Sequence, residues 1–586
     1  MTFEKSVKYE EIDVEESAEG YVELFSRVGV DYVFGSPGSE FIPVWEYLAK
    51  YNSQGRRPYY INSRHEGLSL SLAKGYTMAT EKPQVVLAHV LTGLLHGAME
   101  LKAMYTDNIP VVLIIGQNRT HEEEIYGGTP GPHYLSFTEV GGQQRLVDAY
   151  VKWSDAPDSN ANVLSIFSRA FEITSSDVKG PVLISISREL LFEKVKKMRI
   201  PPSSSPTPIQ ADPRALEKLS ELLVKSKLPI IYTRYLGRSL TAVGSLVELT
   251  DILAAPVFET PGYMNFPTNH PMHLGYSIYP YASEADLILV IDASGWPPWY
   301  PPSSILRRSN AKIVFIDLDP LQIKYSIYNY PSHMLIKADS SLALSSLVKL
   351  VKEKLSNTKI ADEIESRRKT FSLKHREIRE EWRREVLKVE GDTPIDARWL
   401  CHCINEAIDE NTLIVHETIS YGEPIHRLVE KNRIIPGTWF EAAGPVAHTG
   451  LGQGLGMAMG LKLARPDKTV IALEGDGALN YNPVTASYGL AQEYSLPFLT
   501  VIFNNQSYAS MKNHLKFYPE GWSARTGTFY GVYFKAKPNY AKIAEAFDGY
   551  SEVVENPQDV KPALMRGLDE VKGGRFALLD IVLKQP

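Results

Sequence analysis

The chain has 586 residues and a mass of 65.6 kDa, with 44% apolar and 22% charged residues and a formal charge of −7. At roughly 100–200 residues per domain, this length calls for three or four hydrophobic cores. The small acidic balance, without a basic block, argues against a nucleic-acid partner. The longest apolar runs, such as Val111–Ile115 and Leu287–Ile291, are far below the ~20 residues of a membrane-spanning helix.

Met1 to Glu16 is acidic and has no apolar stretch of signal-peptide type, so no secretory signal is expected. The first third then alternates strand-like and helix-like segments. Val30–Phe34 reads as a strand ending in Gly35-Ser36-Pro37-Gly38, and Glu66–Ala79 carries small and apolar residues at helical spacing. Val85–Ala88, Val111–Gly116 and Val182–Ile186 are β-branched runs bounded by Gly or Pro, the pattern of a buried parallel sheet. Ile200–Ile209, rich in Pro and Ser, can be neither helix nor central strand.

A second α/β unit comes next, with strands predicted at Pro229–Tyr232, Leu287–Ile291 and Ile313–Ile316. From Lys352 to Glu390 the composition turns to Glu, Lys and Arg, which predicts a solvated connecting helix. Pro394 opens a third unit. The two cysteines, Cys401 and Cys403, form a Cys-x-Cys pair on a helix that cannot close a sound disulfide and lacks further zinc ligands. Partly buried reduced thiols, and with them a cytoplasmic location, are the expectation. The architecture implied is α/β, with three doubly wound parallel-sheet domains at 1–199, 212–351 and 392–586 and a charged linker at 352–391. No short internal repeat is visible.

The third unit carries the strongest chemical signal. Thr469-Val-Ile-Ala-Leu-Glu-Gly475-Asp476-Gly477 and Phe498-Leu-Thr-Val-Ile-Phe-Asn504-Asn505 each place polar residues at the carboxyl end of an apolar strand, where open α/β sheets bind ligands. Gly475 and Gly477 leave room for a diphosphate against the backbone. Asp476 offers an anionic oxygen and Asn505 a neutral carbonyl, which suits magnesium shared with phosphate. Upstream stands the glycine-rich Thr449-Gly-Leu451-Gly-Gln-Gly-Leu-Gly-Met-Ala-Met-Gly460, and in the first unit Arg64-His65-Glu66, followed by Ala73-Lys-Gly75-Tyr76.

In these motifs the chain resembles the thiamine-diphosphate-dependent 2-oxo-acid decarboxylase and acetolactate synthase superfamily, and the likeness extends over nearly its whole length. The resemblance implies that Asp476, Asn505 and the main-chain carbonyl of Ser507 bind Mg2+. It makes Leu451 the apolar wedge that bends the cofactor and the Thr449 carbonyl the acceptor for its pyrimidine amino group. Glu417, Thr418 and Ser420 match a loop that helps bind the diphosphate. Glu66 matches the carboxyl that activates the cofactor from the far ring nitrogen; burial should favour its protonated form. The first and third domains would then bind the pyrimidine and diphosphate ends on different subunits, so a homodimer is the minimum unit and a homotetramer is common among relatives. The interval between Asp476 and Asn505 exceeds the family's usual spacing, with the excess in the turn from Asn480 to Thr485.

The branch is less uniform. Gly35-Ser-Pro-Gly-Ser39 and His89-Val-Leu-Thr-Gly-Leu-Leu-His96 resemble benzoylformate decarboxylase, with Ser39 and His89 at its catalytic serine and histidine and His96 where most relatives keep an asparagine. Asn480-Tyr481 agrees with that branch. The segments from Asn108 to Gln117 and from Gln143 to Trp153 resemble acetolactate synthase, and the decarboxylase's second histidine has no counterpart in Asp292–Pro302. His514, Trp296 and Trp299 are further candidates for lining the pocket. The expected activity is decarboxylation of a 2-oxo acid, with acetolactate-synthase-like carboligation as the alternative. FAD is not expected, because the loop facing Ile313–Pro320 offers prolines and aromatics instead of glycine and arginine. A non-catalytic relative would have lost Glu66, Asp476 or Asn505, and all three are present.

Overall fold

The computed structural model describes residues 8–117, 140–293, 309–325, 331–356, 359–443 and 449–585. Trp296 and Trp299 lie outside them. The strands among the described residues are numbered β1 to β19 along the chain. The first sheet takes β2 (Tyr32–Gly35), β3 (Tyr59–Asn62), β4 (Gln84–Ala88), β5 (Val111–Gln117), β6 (Trp153–Asp155) and β7 (Val182–Ser187), in the order β3-β2-β4-β5-β7-β6, all parallel. A short antiparallel ribbon of β1 (Glu10–Asp13) and β8 (Lys197–Ile200) closes this unit. The second sheet, also parallel, runs β10-β9-β11-β12-β13 from β9 (Pro229–Thr233), β10 (Val257–Glu259), β11 (Leu287–Ile291), β12 (Lys312–Asp317) and β13 (Met334–Lys337). The third uses β14 (Thr412–Glu417), β15 (Trp439–Glu441), β16 (Thr469–Gly475), β17 (Leu499–Asn504), β18 (Tyr550–Val554) and β19 (Ala577–Val582), again parallel, in the order β15-β14-β16-β17-β19-β18.

Parallel strands covered by helices on both faces must be apolar throughout, and β4, β7, β9, β11, β14 and β17 are buried at every position. The strands that the sequence does not announce include the edges β3, β6, β10 and β13, which are three or four residues long. All but β10 are partly exposed, so they lack the continuous apolar run that marks a central strand. The first and third sheets share one topology: β2 to β7 correspond in order to β14 to β19.

Six helices position the site and join the units. α1 (Glu66–Thr80), α2 (Val90–His96) and α3 (Ala98–Thr106) belong to the first unit, and α4 (Ser340–Leu355) ends the second. α5 (Ala361–Leu387) joins second and third, and α6 (Gly454–Ala464) lies in the third. α5 is more than a solvated connector. Its residues Arg367, Phe371, His375, Arg379, Trp382 and Val386 are buried at helical spacing, and Arg379 donates to the main-chain carbonyl of Thr268 (2.8 Å) and to Glu430 (3.1 Å). The Lys/Arg/Glu composition conceals that stripe because two of its six residues, Arg367 and Arg379, are themselves charged. Cys401 and Cys403 are both buried, and burial pushes the Cys403 thiol up to about 12. No helix among the described residues is long and apolar enough to cross a membrane.

Candidate active site

In the third unit, neighbouring strands β14, β16 and β17 end side by side, with Glu417 in register with Glu474 and Gly475 with Phe503. Their carboxyl ends frame a cleft of about 50 Å3 whose lining includes Thr418, Ser420, Leu451, Gly475, Asp476, Gly477, Asn505 and Ser507. Asp476 accepts from the Gly477 N–H through Oδ1 (2.9 Å), while its buried Oδ2 meets no donor. Burial raises this carboxyl to about 7, although backbone N–H groups oppose the shift. Asn505 is held by a hydrogen bond from its Nδ2 to the Tyr421 hydroxyl (2.9 Å), and its Oδ1 accepts from the N–H and hydroxyl of Ser507 (both 2.9 Å). A side chain at Gly477 would run into the Tyr508 ring at 2.8 Å. A buried carboxylate oxygen without a partner, beside an oriented amide and a glycine-cleared backbone, fits a divalent cation carrying phosphate.

Besides Glu66 in the first unit, Glu417 and Thr449 of the expected cofactor set do not line this cleft. Glu417 is buried with its carboxylate turned to the start of α6, where it accepts from the N–H groups of Gly452 (3.0 Å), Gln453 (3.0 Å) and Gly454 (2.9 Å) and from Asn482 Nδ2 (3.0 Å). A carboxylate on a helix N-terminus satisfies donors that have no intrahelical partner. Thr449 is fully buried, its hydroxyl donating to Ala442 O (3.3 Å). The long interval after Asp476 contains a short helix, α7 (Asp476–Leu479), and a turn before α8 (Val484–Glu493). Asn482 in that turn ties it to both Glu417 and the Leu455 N–H (3.2 Å). Thr418 is fixed by His416 Nε2 (2.7 Å), whose Nδ1 is 2.8 Å from Glu441. Glu441 also pairs with His426 (2.9 Å), and His416, His426 and Glu441 form a buried cluster whose atoms are engaged with one another, Thr418 and Trp439.

The first unit presents a second group of polar residues at the ends of β2 and β4. Glu66 opens α1, with Ser36 donating to Oε1 (2.6 Å) and His96 Nδ1 lying 2.7 Å from Oε2. Burial, the largest single influence, raises the Glu66 carboxyl, but the hydrogen bonds from Ser36, His96 and its own backbone N–H, with the charge of His96, together hold the group below its ordinary value. The expectation that burial would keep it protonated is therefore corrected: a carboxylate receiving two donors is stabilised in its charged form. His89 follows β4, its Nδ1 2.7 Å from Oε2 of the fully buried Glu40, whose Oε1 accepts from the Val90 N–H (3.2 Å). Ser39 begins the short turn Ser39–Phe41, 3.5 Å from Nη1 of Arg188 at the end of β7. His514 is exposed on the helix Ala509–His514 with Nδ1 bonded to Ser510 O (2.7 Å).

The two groups are linked by crossing helices. Virtual side chains at Gly75 and Gly460 would lie 2.2 Å from main-chain Met457 O and Leu72 O, so α1 and α6 touch backbone to backbone. Met99 on α3 occupies the space that a side chain on Gly450 would need.

Residues 16–148 match the model of the thiamine pyrophosphate enzyme N-terminal TPP-binding domain, and residues 424–581 that of the C-terminal TPP-binding domain. This chain belongs to the thiamine pyrophosphate enzyme family. Among relatives, it is 26% identical over 576 residues to the acetolactate synthase large subunit of Buchnera aphidicola subsp. Schlechtendalia chinensis, spanning 94% of this chain and 92% of that protein. It is 26% identical over 509 residues to the benzoylformate decarboxylase of Pseudomonas aeruginosa, spanning 84% and 86%. The structure of the thiamine diphosphate-dependent 4-hydroxybenzoylformate decarboxylase of Rhodococcus jostii superposes with a TM-score of 0.77 at 21% identity, over 97% of this chain and 99% of that one, a likeness of fold. Within the family frame, Glu40, Ser36, Arg188, Asn482 and His416 are the polar residues that sequence reasoning missed. Only the charge of Glu40 next to Ser39 could have drawn attention, since their roles depend on strands far apart in the chain.

Proposed function

We propose that this thiamine pyrophosphate enzyme decarboxylates a 2-oxo acid with thiamine diphosphate and magnesium, in the manner of benzoylformate decarboxylase. The observation that carries the decarboxylase reading is the His89–Glu40 pair: an imidazole oriented by a buried carboxylate at a strand end, as a proton-transfer group requires. Asp476, Asn505 and the Ser507 carbonyl would hold magnesium, with Asp476 Oδ2 as its anionic ligand. Gly475 and Gly477 admit the diphosphate, and the Thr418 and Ser420 hydroxyls are its donors. Thr449 and Leu451 support the cofactor at the turn into α6. When bound, the thiazolium supplies the carbon nucleophile and the electron sink that decarboxylation needs. Glu66, as a carboxylate, would hold a proton at the pyrimidine ring nitrogen, Ser39 donates to the substrate carboxylate, and His89 delivers and removes protons at the reacting carbon.

The chain acts as a homodimer or a larger homo-oligomer in this reading. Apolar side chains stand exposed beside both half-sites, Leu95 and Met99 near Glu66 and Tyr481 and Met511 near Asp476, as expected of surfaces that a second copy covers. Sedimentation of the purified protein should give no monomer at micromolar concentration.

The test of the reaction compares wild type and His89→Ala on phenylglyoxylate and on pyruvate, following aldehyde and acetohydroxy acid separately. Loss of positioned proton transfer should lower kcat by ~10²–10⁴ with little change in KM. Acetohydroxy acid as the main product, unchanged in the His89 variant, would replace decarboxylation by carboligation.

A further inference from the structure

We propose that the recess between the second unit, α5 and the diphosphate loop is a second small-molecule site, which takes an uncharged aromatic compound and tightens cofactor binding when filled. The link to the cofactor rests on the diphosphate role proposed for Thr418 and Ser420, whereas the recess itself does not. Its volume is about 620 Å3, within the roughly 300–1,000 Å3 of small-molecule pockets. Its walls come from the stretch 276–281 of the second unit, from Ile378 and Trp382 of α5, and from the helix Gly422–Leu428. One chain supplies these walls, unlike the cofactor cleft, which faces a second copy in the homo-oligomer proposed above.

The wall chemistry selects the ligand. Tyr232, Tyr276, Tyr279, Tyr281 and Trp382 line the recess, and the rings of Tyr276 and Trp382 stand near parallel, 6.3 Å apart. Such surfaces favour a planar aromatic body. The polar groups among them are already engaged: the hydroxyls of Tyr232 and Thr260 bond to each other, and that of Tyr276 donates to His426 O. The charges are balanced as well. Arg427 gives one nitrogen to Glu385 (2.7 Å) and another to Glu423, and burial holds His426 toward its neutral form against the pull of Glu441. A charged ligand would find no free counter-charge among these groups, whereas an uncharged ring needs none.

Two connections join the recess to the cofactor cleft. Ile419 and Ser420 line both, so the loop between them is a shared wall. From the recess, His426 reaches Glu441 (2.9 Å), Glu441 reaches His416 (2.8 Å), and His416 reaches the Thr418 hydroxyl (2.7 Å). A ring packed against Ile419 and His426 therefore bears on both hydroxyls assigned to the diphosphate. By holding the loop where Thr418 and Ser420 face the cleft, it favours the cofactor, and the cofactor must favour it by the same factor.

The probes are indole and its anionic analogue indole-3-carboxylate, titrated by calorimetry into the assembled protein without cofactor. Indole should bind more tightly than the carboxylate by about tenfold, since an unpaired buried charge is costly. Ser277→Trp, at the exposed mouth of the recess, and Ile378→Glu, which sets a charge in its wall, should each abolish indole binding. Both should keep the wild-type circular dichroism and the wild-type affinity for thiamine diphosphate with magnesium when indole is absent. Saturating indole should lower the cofactor's Kd in the wild type by about fivefold or more, and should not do so in either variant. The proposal is overturned by absence of indole binding, by binding that survives both variants, by equal binding of the carboxylate, or by a cofactor Kd that indole leaves unmoved. A protein that binds indole but no thiamine diphosphate would sink the function proposed above and the coupling with it, and would keep the aromatic site.

Discussion

Glu40 organises the amino-terminal half-site through its two carboxylate oxygens. One orients His89 and the other accepts the Val90 N–H. Val90 is a β-branched residue with φ of 38°, in the left-handed region that such residues avoid, and conformations of this kind cost ~1–3 kcal/mol. A charged acceptor for its N–H helps hold it there. The neighbouring glycines make the arrangement possible, since a side chain on Gly116 would lie 2.2 Å from Glu40 Cγ. Glu40→Ala should destabilise the fold by ~1–3 kcal/mol through the unpaired N–H. Glu40→Gln should keep most of that stability yet lower kcat more than KM, because the amide fills the same space without the charge. Urea unfolding and steady-state kinetics read the two effects, and an unchanged kcat in Glu40→Gln would reduce the carboxylate to a packing role.

At the scale of elements, the crossing of α1 and α6 decides how the two cofactor-binding units meet. It depends on small residues on both helices: Ser71 and Gly75 on one, Gly456 and Gly460 on the other. Gly460→Ala would drive a methyl group to 2.2 Å from Leu72 O and 2.9 Å from Tyr76 N. Backbone cannot yield as a side chain can, so the helices must part, at a cost of ~1–3 kcal/mol typical of overpacking. Gly244, in the helix Leu240–Leu253, has nothing within 4 Å of its virtual side chain. Gly244→Ala should therefore stabilise by ~1 kcal/mol from helix propensity alone. Denaturant midpoints for the pair of variants should move in opposite directions; movement in the same direction would remove the close approach as the cause.

At the scale of the whole molecule, the first and third sheets are two copies of one topology, and their sites fall at corresponding strand ends. Ser36 follows β2 as Thr418 follows β14, and His89 follows β4 as Asp476 follows β16. The helices α1 and α6, after the corresponding strands β3 and β15, pack on each other. Lys74 fastens the two copies. It is fully buried and reaches Asp107 Oδ2 (2.9 Å) in its own unit and Ala442 O (3.0 Å) and Gln453 Oε1 (2.9 Å) in the other. Removing one partner of a buried ion pair typically costs ~3–5 kcal/mol, so Lys74→Met should be strongly destabilising. Adding Asp107→Asn should recover much of the loss by removing the stranded charge. Thermal unfolding of the single and double variants tests this, and equal stability of the two would mean that the loss lies in packing.

The sequence by itself determined the class of fold and marked the polar motifs at the strand ends of the third unit. Apolar β-branched runs bounded by glycine and proline announce central parallel strands because burial on both faces leaves no alternation to disguise them. Gly475-Asp476-Gly477 and Asn504-Asn505 stand out because each motif is continuous in the chain. Charged residues inside buried stripes were hidden, as in α5, where composition points to solvent and packing against Thr268 and Glu430 decides otherwise. The internal repeat was hidden too, since topology is kept by where strands pair and not by which residues recur. The state of Glu66 could not be read from its place in a motif. Burial and hydrogen bonding act on it in opposite directions, and only the tertiary structure, by bringing Ser36 and His96 to its two oxygens, decided which one prevails.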